Sequence, residues 1–259
     1  MRIATWNVNS IRARLPRVLP WLTESRPDVV CLQETKCLDG AFPRAEIEEL
    51  GYEVVTYGQK TYNGVAILSR QGVEGVVRGF PDDPEDADRR VLGATVGDVM
   101  VLNLYVVNGK EVGSDKYAYK LEWLERLREF VDGHYPSEGG RLAQKLVVTG
   151  DFNITFDDRD VYDPEAWRDR ILCSEPERDA LAALMGLGLS DAFRKFEEGD
   201  GHYTWWDFRS RGFQGNRGLR IDHFLMSDEA LAACSGVEID LEARKGEKPS
   251  DHAPVIATL

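Results

Sequence analysis

Leu146-Val147-Val148-Thr149-Gly150-Asp151-Phe152-Asn153 is the stretch on which the fold reading turns. A short apolar run, Leu146–Val148, passes directly into a glycine, a carboxylate and an amide. Such a run reads as a buried strand, and the polar residues stand at its end. The same arrangement recurs along the chain. Ile3–Val8 carries Asn7 and is followed by Asn9, and Val29–Leu32 ends in Gln33-Glu34-Thr35-Lys36. Val99–Val107 contains Tyr105 and runs into Asn108-Gly109. Arg220-Ile221-Asp222-His223 opens the run Ile221–Met226, and Ser250-Asp251-His252 precedes Pro254–Leu259. Val54–Tyr57 and Val65–Leu68 complete the predicted strands. Residues two apart on a strand share a face. Asp151 and Asn153 are therefore expected to point the same way, and so are Asn7 and Asn9.

Helical patterns are fewer. Tyr117, Leu121, Leu124, Leu127 and Val131 lie at spacings of three and four, which predicts an amphipathic helix over 115–131 with Ser114 as N-cap. A second helix is expected over 177–187, stopped by Gly186 and Gly188. A third, over 11–24, is expected to be interrupted by Pro16 and Pro20. Strands outnumber what a simple βα alternation allows, so the predicted class is α/β, a sandwich of two packed sheets with flanking helices. No repeat, linker or low-complexity tract divides the 259 residues, and one domain over 1–259 is expected. Neither GxGxxG nor GxxxxGK[ST] occurs, which removes the usual nucleotide cradles.

At 42% hydrophobic and 30% charged, the chain is neither disordered nor collagenous. No apolar run is long enough to span a bilayer and the N-terminus lacks a signal-peptide pattern, so a cytoplasmic protein with no membrane partner is expected. Cys31, Cys37, Cys173 and Cys234 form no CxxC pair and are expected to be free thiols. The net charge of −13 argues at first against a nucleic-acid partner. Its distribution weakens that argument. Residues 151–200 hold 14 acids against 6 bases, and the stretch 81–88 adds five acids. Residues 1–23 carry Arg2, Arg12, Arg14 and Arg17 with no acid, and residues 203–221 carry four arginines against Asp207. A phosphate feels such patches over a Debye length of about 8–10 Å more than it feels the total.

Carboxylates and amides gathered at strand ends, without a Cys/His cluster, suit a hard cation. Mg²⁺ takes oxygen ligands and keeps several waters, so one or two carboxylates suffice. Spacing alone does not bring these segments together.

The motifs do carry a resemblance. Thr5-Trp6-Asn7-Val8-Asn9, LQETK (32–36), GDFN (150–153), RGLRID (217–222) and KPSDHAP (248–254), with Trp205-Trp206, resemble the exodeoxyribonuclease III family of bacterial apurinic/apyrimidinic (AP) endonucleases. That family lies within the endonuclease/exonuclease/phosphatase superfamily, and the resemblance covers essentially the whole chain. It implies a four-layer, DNase I-like α/β sandwich of two mixed sheets. It also implies Mg²⁺-dependent DNA repair, with Mn²⁺ as a substitute cation. The expected reaction is cleavage 5′ to abasic sites in double-stranded DNA, with 3′–5′ exonuclease and 3′-phosphatase activity on blocked 3′ ends. The enzyme is expected to be a monomer that joins the nucleoid during repair.

Carried over residue by residue, Glu34 becomes the central Mg²⁺ ligand, with Asn7 and Asp251 near the metal. Asp151 orients or deprotonates the attacking water, assisted by Asn153. Tyr105 sits beside the scissile phosphate, and His252, paired with Asp222, supports its developing charge. Trp205, Leu219 and Ile221 line a pocket for the abasic sugar. Asn108, Arg89, Arg90, Lys110, Lys116 and Arg217 are substrate or phosphate contacts, and Trp206 and Phe213 are weaker candidates for contacts with the DNA stack. His134, His202 and His223 match no role. The sequence departs from the family at Val107, where a proline is usual, which predicts a looser loop at Asn108. The overall acidity predicts weak, strongly salt-sensitive non-specific DNA binding. Three alternatives stay open: a nuclease trimming 3′ ends with little preference for abasic sites, a DNA-binding module without catalysis, and a phosphodiesterase acting on other substrates.

Overall fold

The computed structural model describes every residue except Pro136, Gly139, Gly140 and Ala143. The first half of the chain contains β1 (Arg2–Asn7), α1 (Ile11–Ser25), β2 (Val29–Gln33), α2 (Arg44–Glu48), β3 (Glu53–Tyr57), β4 (Val65–Ser69), β5 (Val73–Arg78), β6 (Val91–Val96) and β7 (Val99–Tyr105). The second half contains α3 (Asp115–His134), β8 (Ser137–Glu138), β9 (Arg141–Leu142), β10 (Leu146–Asp151), α4 (Pro164–Trp167), α5 (Glu175–Met185) and β11 (Leu189–Asp191), then β12 (Asp222–Ser227), α6 (Asp228–Ala233), β13 (Gly236–Ile239) and β14 (Val255–Thr258).

Two six-stranded sheets form, in the orders β13-β14-β1-β2-β4-β3 and β11-β12-β10-β7-β6-β5. Each is mixed. A central parallel pair, β1 with β2 or β7 with β10, is flanked by antiparallel neighbours. Strand alternation explains why both faces are apolar. Ile3, Val29, Cys31, Val101 and Val147 point between the sheets. Ala4, Trp6, Val30 and Leu32 point outward against Trp21 and Leu22 of α1. Leu102, Leu104 and Val148 point outward against Trp123 and Leu127 of α3 and Leu181 and Leu184 of α5. The layers are thus helix, sheet, sheet, helix, the four-layer sandwich that the resemblance implied.

A polar clamp crosses the apolar layer between the sheets. Gln33 Nε2 donates to Asn103 Oδ1 at 2.7 Å and to Thr5 Oγ1 at 2.9 Å. Asn103 Nδ2 donates back to the carbonyls of Leu32 and Ala66 at 3.0 and 2.9 Å. Buried amides left unpaired are costly, so this clamp favours one register of sheet on sheet.

The helices at 115–131 and 177–187 form as Asp115–His134 and Glu175–Met185. Ser114 Oγ caps the first by accepting from Tyr117 N at 3.2 Å. The expected interruption of α1 does not occur, and the helix runs unbroken through Pro16 and Pro20. Both prolines are exposed and four residues apart, so they share the solvent face. The carbonyls they leave without donors can be hydrated there, while Val18, Trp21 and Leu22 hold the opposite face to the sheet.

Candidate active site

The two parallel pairs end at the same edge of the sandwich, and their ends carry the polar residues. In the first sheet Asn7 stands opposite Gln33, with Glu34 next along the chain. In the second, Asp151 stands between Tyr105 on β7 and Asp222 on β12. Gly150 is required for this arrangement, because a Cβ there would lie 1.9 Å from the Leu104 carbonyl oxygen.

Beyond the strands the chain turns sharply. Asn9, Glu34 and Asn153 all adopt left-handed backbone, with φ of 44°, 52° and 50°. Such conformations cost on the order of 1 kcal/mol for non-glycine residues and persist where the surroundings hold them. Two of the turns are Asx turns. Asn7 Oδ1 accepts from Asn9 N at 3.0 Å, and Asp151 Oδ1 accepts from Asn153 N at 2.9 Å. Strand alternation is therefore the wrong basis for pairing Asn7 with Asn9 and Asp151 with Asn153. The strands stop at the first residue of each pair, and a turn brings the second alongside.

Asn7 Nδ2 donates at 2.8 Å to both Glu34 Oε1 and Asp151 Oδ2, drawing two carboxylates from different sheets together. Lys36 Nζ contacts the other Glu34 oxygen at 2.6 Å and Asn9 Oδ1 at 2.7 Å. His252 Nδ1 lies 2.9 Å from Asp222 Oδ2, and its Nε2 faces Asp151 Oδ2 at 3.7 Å. Ser250 Oγ ties this last segment to β1 by donating to the Asn7 carbonyl at 2.6 Å. Asp251 lies just beyond. Its two oxygens accept from Asn9 Nδ2 at 2.9 Å and Trp205 Nε1 at 3.0 Å.

These contacts set the charges. Burial is the main reason the Asp151 carboxyl is pushed up to about 7, with Asp222 and Glu34 adding to it against His252 and the Asn7 amide. Burial opposes the His252 imidazolium, but the carboxylates of Asp222, Asp151 and Asp251 outweigh it and hold its pKa at about 10. Burial raises Tyr105 well above the usual phenol range, helped by Glu34 and Asp151. Burial would also raise Asp251, but His252 and the bonds from Asn9 and Trp205 prevail and hold it below the usual carboxylate range.

One oxygen of Glu34, one of Asp151 and one nitrogen of His252 lie within 4.8 Å of one another. An imidazole held cationic is a poor ligand, so the donor set that remains is carboxylate oxygen, which fits a hard divalent cation. Asn7 presents its N–H group to the carboxylates and its oxygen to Asn9, so here it orders the carboxylates. Asp251 has both oxygens occupied by the Asn9 and Trp205 donors.

The remaining candidates differ in availability. Trp205 is half-buried, and backbone bonds pair it with Leu219. Leu219 and Ile221 are fully buried in a small cluster with Val161, Leu172 and Cys173. Trp206 is 1% exposed and packs edge-on against Phe213, so it belongs to the core and not to a stacking surface. Arg90 is engaged already. Its guanidinium meets Asp88 at 3.0 Å and the Tyr105 carbonyl at 3.2 Å, and it covers the Tyr105 ring at 4.8 Å. Arg89 lies over the Tyr57 ring. Lys110, Lys116 and Arg217 are exposed, although Arg217 donates to the Ser210 carbonyl at 2.7 Å. His134 and His202 lie away from this cluster against Phe130 and Phe193, and His223 is buried beside Arg220 and the Ile154 carbonyl.

The loop at Val107 is packed and hydrogen-bonded. Val106 and Val107 are buried in the core, and Asn108 Nδ2 donates to Asn153 Oδ1 at 3.0 Å. Asn153 Nδ2 in turn donates to the Val106 carbonyl at 3.1 Å, so its amide is spent on joining two loops. Beneath them sits a residue the sequence reading missed. Lys120 is fully buried, and its Nζ donates to the carbonyls of Asn153 at 2.7 Å and Asn108 at 3.2 Å while ion-pairing with buried Glu177. Its position was the available signal, because it lies three residues after Tyr117 and four before Leu124, on the apolar stripe. Lys36 was also missed, although it closes the LQETK motif.

Similarity to known proteins agrees with this geometry. Residues 4–252 match the model described as the Endonuclease/Exonuclease/phosphatase family. Exodeoxyribonuclease III of Haemophilus influenzae is 36% identical, with 99% of each chain covered. A 3′ phosphatase from Neisseria, bound to a product DNA hairpin, superposes with a TM-score of 0.95 at 46% identity, covering 100% of this chain and 99% of that one. An AP endonuclease from Archaeoglobus fulgidus superposes with a TM-score of 0.94 at 37% identity, with the same coverage.

Proposed function

The chain belongs to the endonuclease/exonuclease/phosphatase family and is a metal-dependent DNA-repair nuclease, and we propose that it uses Mg²⁺ to cut the phosphodiester 5′ to abasic sites in duplex DNA and to clear blocked 3′ ends. The observation that carries this reading is the convergence of Glu34 and Asp151 on the shared Asn7 amide, with His252 facing Asp151. On this reading the enzyme is a cytoplasmic monomer, with Mn²⁺ able to replace Mg²⁺.

Glu34 would hold the cation, with Asp151 in reach, and the bound ion supplies Lewis acidity at the phosphate and the departing oxygen. The chain supplies the rest. Asp151, fixed by its own Asx turn and the Asn7 amide, accepts the proton of the attacking water as that oxygen bonds to phosphorus. The P–O3′ bond breaks, and O3′ takes a proton from solvent to leave as a hydroxyl. His252, kept cationic by Asp222, offers positive charge to the non-bridging oxygens. Tyr105, kept protonated, offers a hydroxyl donor beside the scissile phosphate. Trp205, Leu219 and Ile221 would admit a sugar lacking its base, which is cheap to extrude.

A second reading, a nuclease acting mainly on 3′ ends, is favoured by one observation. Leu219 and Ile221 are fully buried, so neither presents an open surface to an extruded sugar. A labelled duplex with one tetrahydrofuran abasic analogue, beside one with a 3′-phosphate, separates the readings. A single cut 5′ to the analogue, present in Mg²⁺ and lost in EDTA, is the expected result. Removal of the 3′ phosphate or progressive 3′ shortening without that cut would favour the second reading. Trp205→Ala should weaken incision at the analogue more than 3′ trimming, and equal losses would remove Trp205 from the pocket.

A further inference from the structure

Arg244 is only 7% exposed, yet its side chain makes no hydrogen bond or ion pair among the described residues. Its buried Nε has no partner. The guanidinium lies between the rings of Phe208 and Phe213, at 5.0 Å from each centroid. Buried guanidinium groups normally meet carboxylates, and a buried donor left unmade costs about 1–3 kcal/mol, so one without a partner calls for an account. Two aromatic faces partly compensate the charge, but they accept none of its five N–H donors.

Arg244 lines a cavity of about 520 Å³ together with Arg211, Lys245 and Asp207. The Asp207 carboxylate accepts from Arg209 N at 2.9 Å, and Lys245 is paired with Glu242. Arg211 is exposed and makes no side-chain bond among the described residues. The Asp251 carboxylate acts on Arg244 only through space, so the cavity offers two arginines that no carboxylate bonds, in a chain of net charge −13.

Its place in the fold matters as much as its charge. Pro249 lines it too, and the next three residues are Ser250, Asp251 and His252. On the other flank, Arg14 Nη2 reaches the Pro249 carbonyl at 3.4 Å, and Arg17 Nη2 reaches the Ala243 carbonyl at 3.2 Å. The two arginine-rich segments that stood out in the sequence, 1–23 and 203–221, thus converge on the loop 243–249. The polar edge of the sandwich and this cationic cavity share one connecting segment.

We propose that the Arg244 cavity is a second phosphate subsite, which receives a backbone phosphate of bound duplex DNA away from the scissile one. Arginine's planar fork matches phosphate oxygens, and a guanidinium already desolvated and stacked loses little freedom on binding. The subsite lets an acidic protein hold DNA at one point without a broad basic face. The proposal rests on the DNA-nuclease reading but not on abasic specificity, so its test uses undamaged duplex.

The test is binding of the full-length protein, in Mg²⁺, to a phosphorothioate-protected duplex across a series of salt concentrations. One phosphate contact contributes about 0.9 to the slope of log K against log salt. Arg244→Met should lower that slope by about this amount and weaken binding roughly 3- to 10-fold at 0.1 M salt. Arg211→Gln, at an exposed position, should act in the same direction without touching the core. It keeps the test decisive if Arg244→Met folds poorly. A single methylphosphonate, walked along the strand, should weaken the wild type at one position and leave Arg244→Met unaffected there. Unchanged slopes in both variants overturn the proposal. So does inorganic phosphate binding to the wild type and not to Arg244→Met while the DNA slope stays the same, because the cavity would then take free anions only. Normal DNA binding with no cleavage of any substrate would count against the nuclease reading and leave the subsite standing.

Discussion

The ends of β1 and β10 invite comparison. Thr5-Trp6-Asn7-Val8-Asn9 and Thr149-Gly150-Asp151-Phe152-Asn153 do the same structural work in the two sheets. Each strand lies in a parallel pair, ends in an Asx turn, and places an asparagine in left-handed backbone two residues later. A lysine pins each turn, Lys36 on Asn9 and Lys120 on Asn153. One difference is a single atom type, the amide of Asn7 against the carboxylate of Asp151. The amide donates and the carboxylate accepts, so the two ends bind each other at 2.8 Å. Two carboxylates there would repel, and two amides would remove the carboxylate proposed as the base. The lesson is that a repeated backbone device brings reactive groups from two sheets together when its two copies carry complementary side chains.

Making the ends alike should have the largest effect. On the proposed mechanism Asp151→Asn removes the base, and it should lower kcat about 10²- to 10⁴-fold. The same change should stabilise the metal-free protein. The folded pKa of Asp151 is raised to about 7, above its ordinary value of 3.8, so its ionisation costs folding energy. That cost begins as pH rises past the ordinary value and is complete above about 7. In EDTA at pH 8, Asp151→Asn should therefore be more stable than the wild type by about 1–3 kcal/mol, and the gap should close toward pH 4. Thermal melts across that pH range check the sign. A variant that melts below the wild type at pH 8 would mean that the carboxylate is stabilising there.

Saturating Mg²⁺ should raise the melting temperature of the wild type and leave Glu34→Gln nearly unmoved, because only a folded-state ligand shifts the equilibrium. Equal shifts in both would take Glu34 out of the cation site.

The second largest effect should come from the buried lysine. Lys120→Met leaves Glu177 buried without its cation, which typically costs about 3–5 kcal/mol. It also frees the carbonyls of Asn108 and Asn153, so kcat should fall about 10- to 100-fold with KM changed little, as a 1 Å misplacement would produce. Adding Glu177→Gln should restore much of the stability but not kcat. Recovery of both together would reduce Lys120 to a structural ion pair.

What could be read in advance follows the same division between strand and turn. β1, β2, β4, β7 and β10 were legible because both faces are buried and the residues are continuously apolar. The edge strands β5 and β13 were not, because their half-exposed residues mix polarities, and β11 is three residues long. The motif residues were found, but the reason they converge was not. It lies in positive-φ turns and cross-sheet amides such as Asn103, which leave no periodic trace. Lys120 and Arg244 escaped because a charged residue reads as solvent-facing, and only tertiary packing buries it.

The smallest effect separates the two lysines. Lys36 and Glu34 keep 25% and 17% of their side-chain surface exposed, whereas Lys120 and Glu177 keep none. Water and salt screen the first pair and cannot reach the second. Lys36→Met should therefore cost about 0.5–1 kcal/mol of stability and only a few-fold in kcat. The deficit should shrink as salt rises, because salt weakens the same contact in the wild type. The Lys120→Met deficit should not respond to salt. Turnover of both variants and the wild type at low and high ionic strength gives the contrast directly. If the two deficits respond alike, the pins are equivalent, and burial is not what distinguishes the two turns.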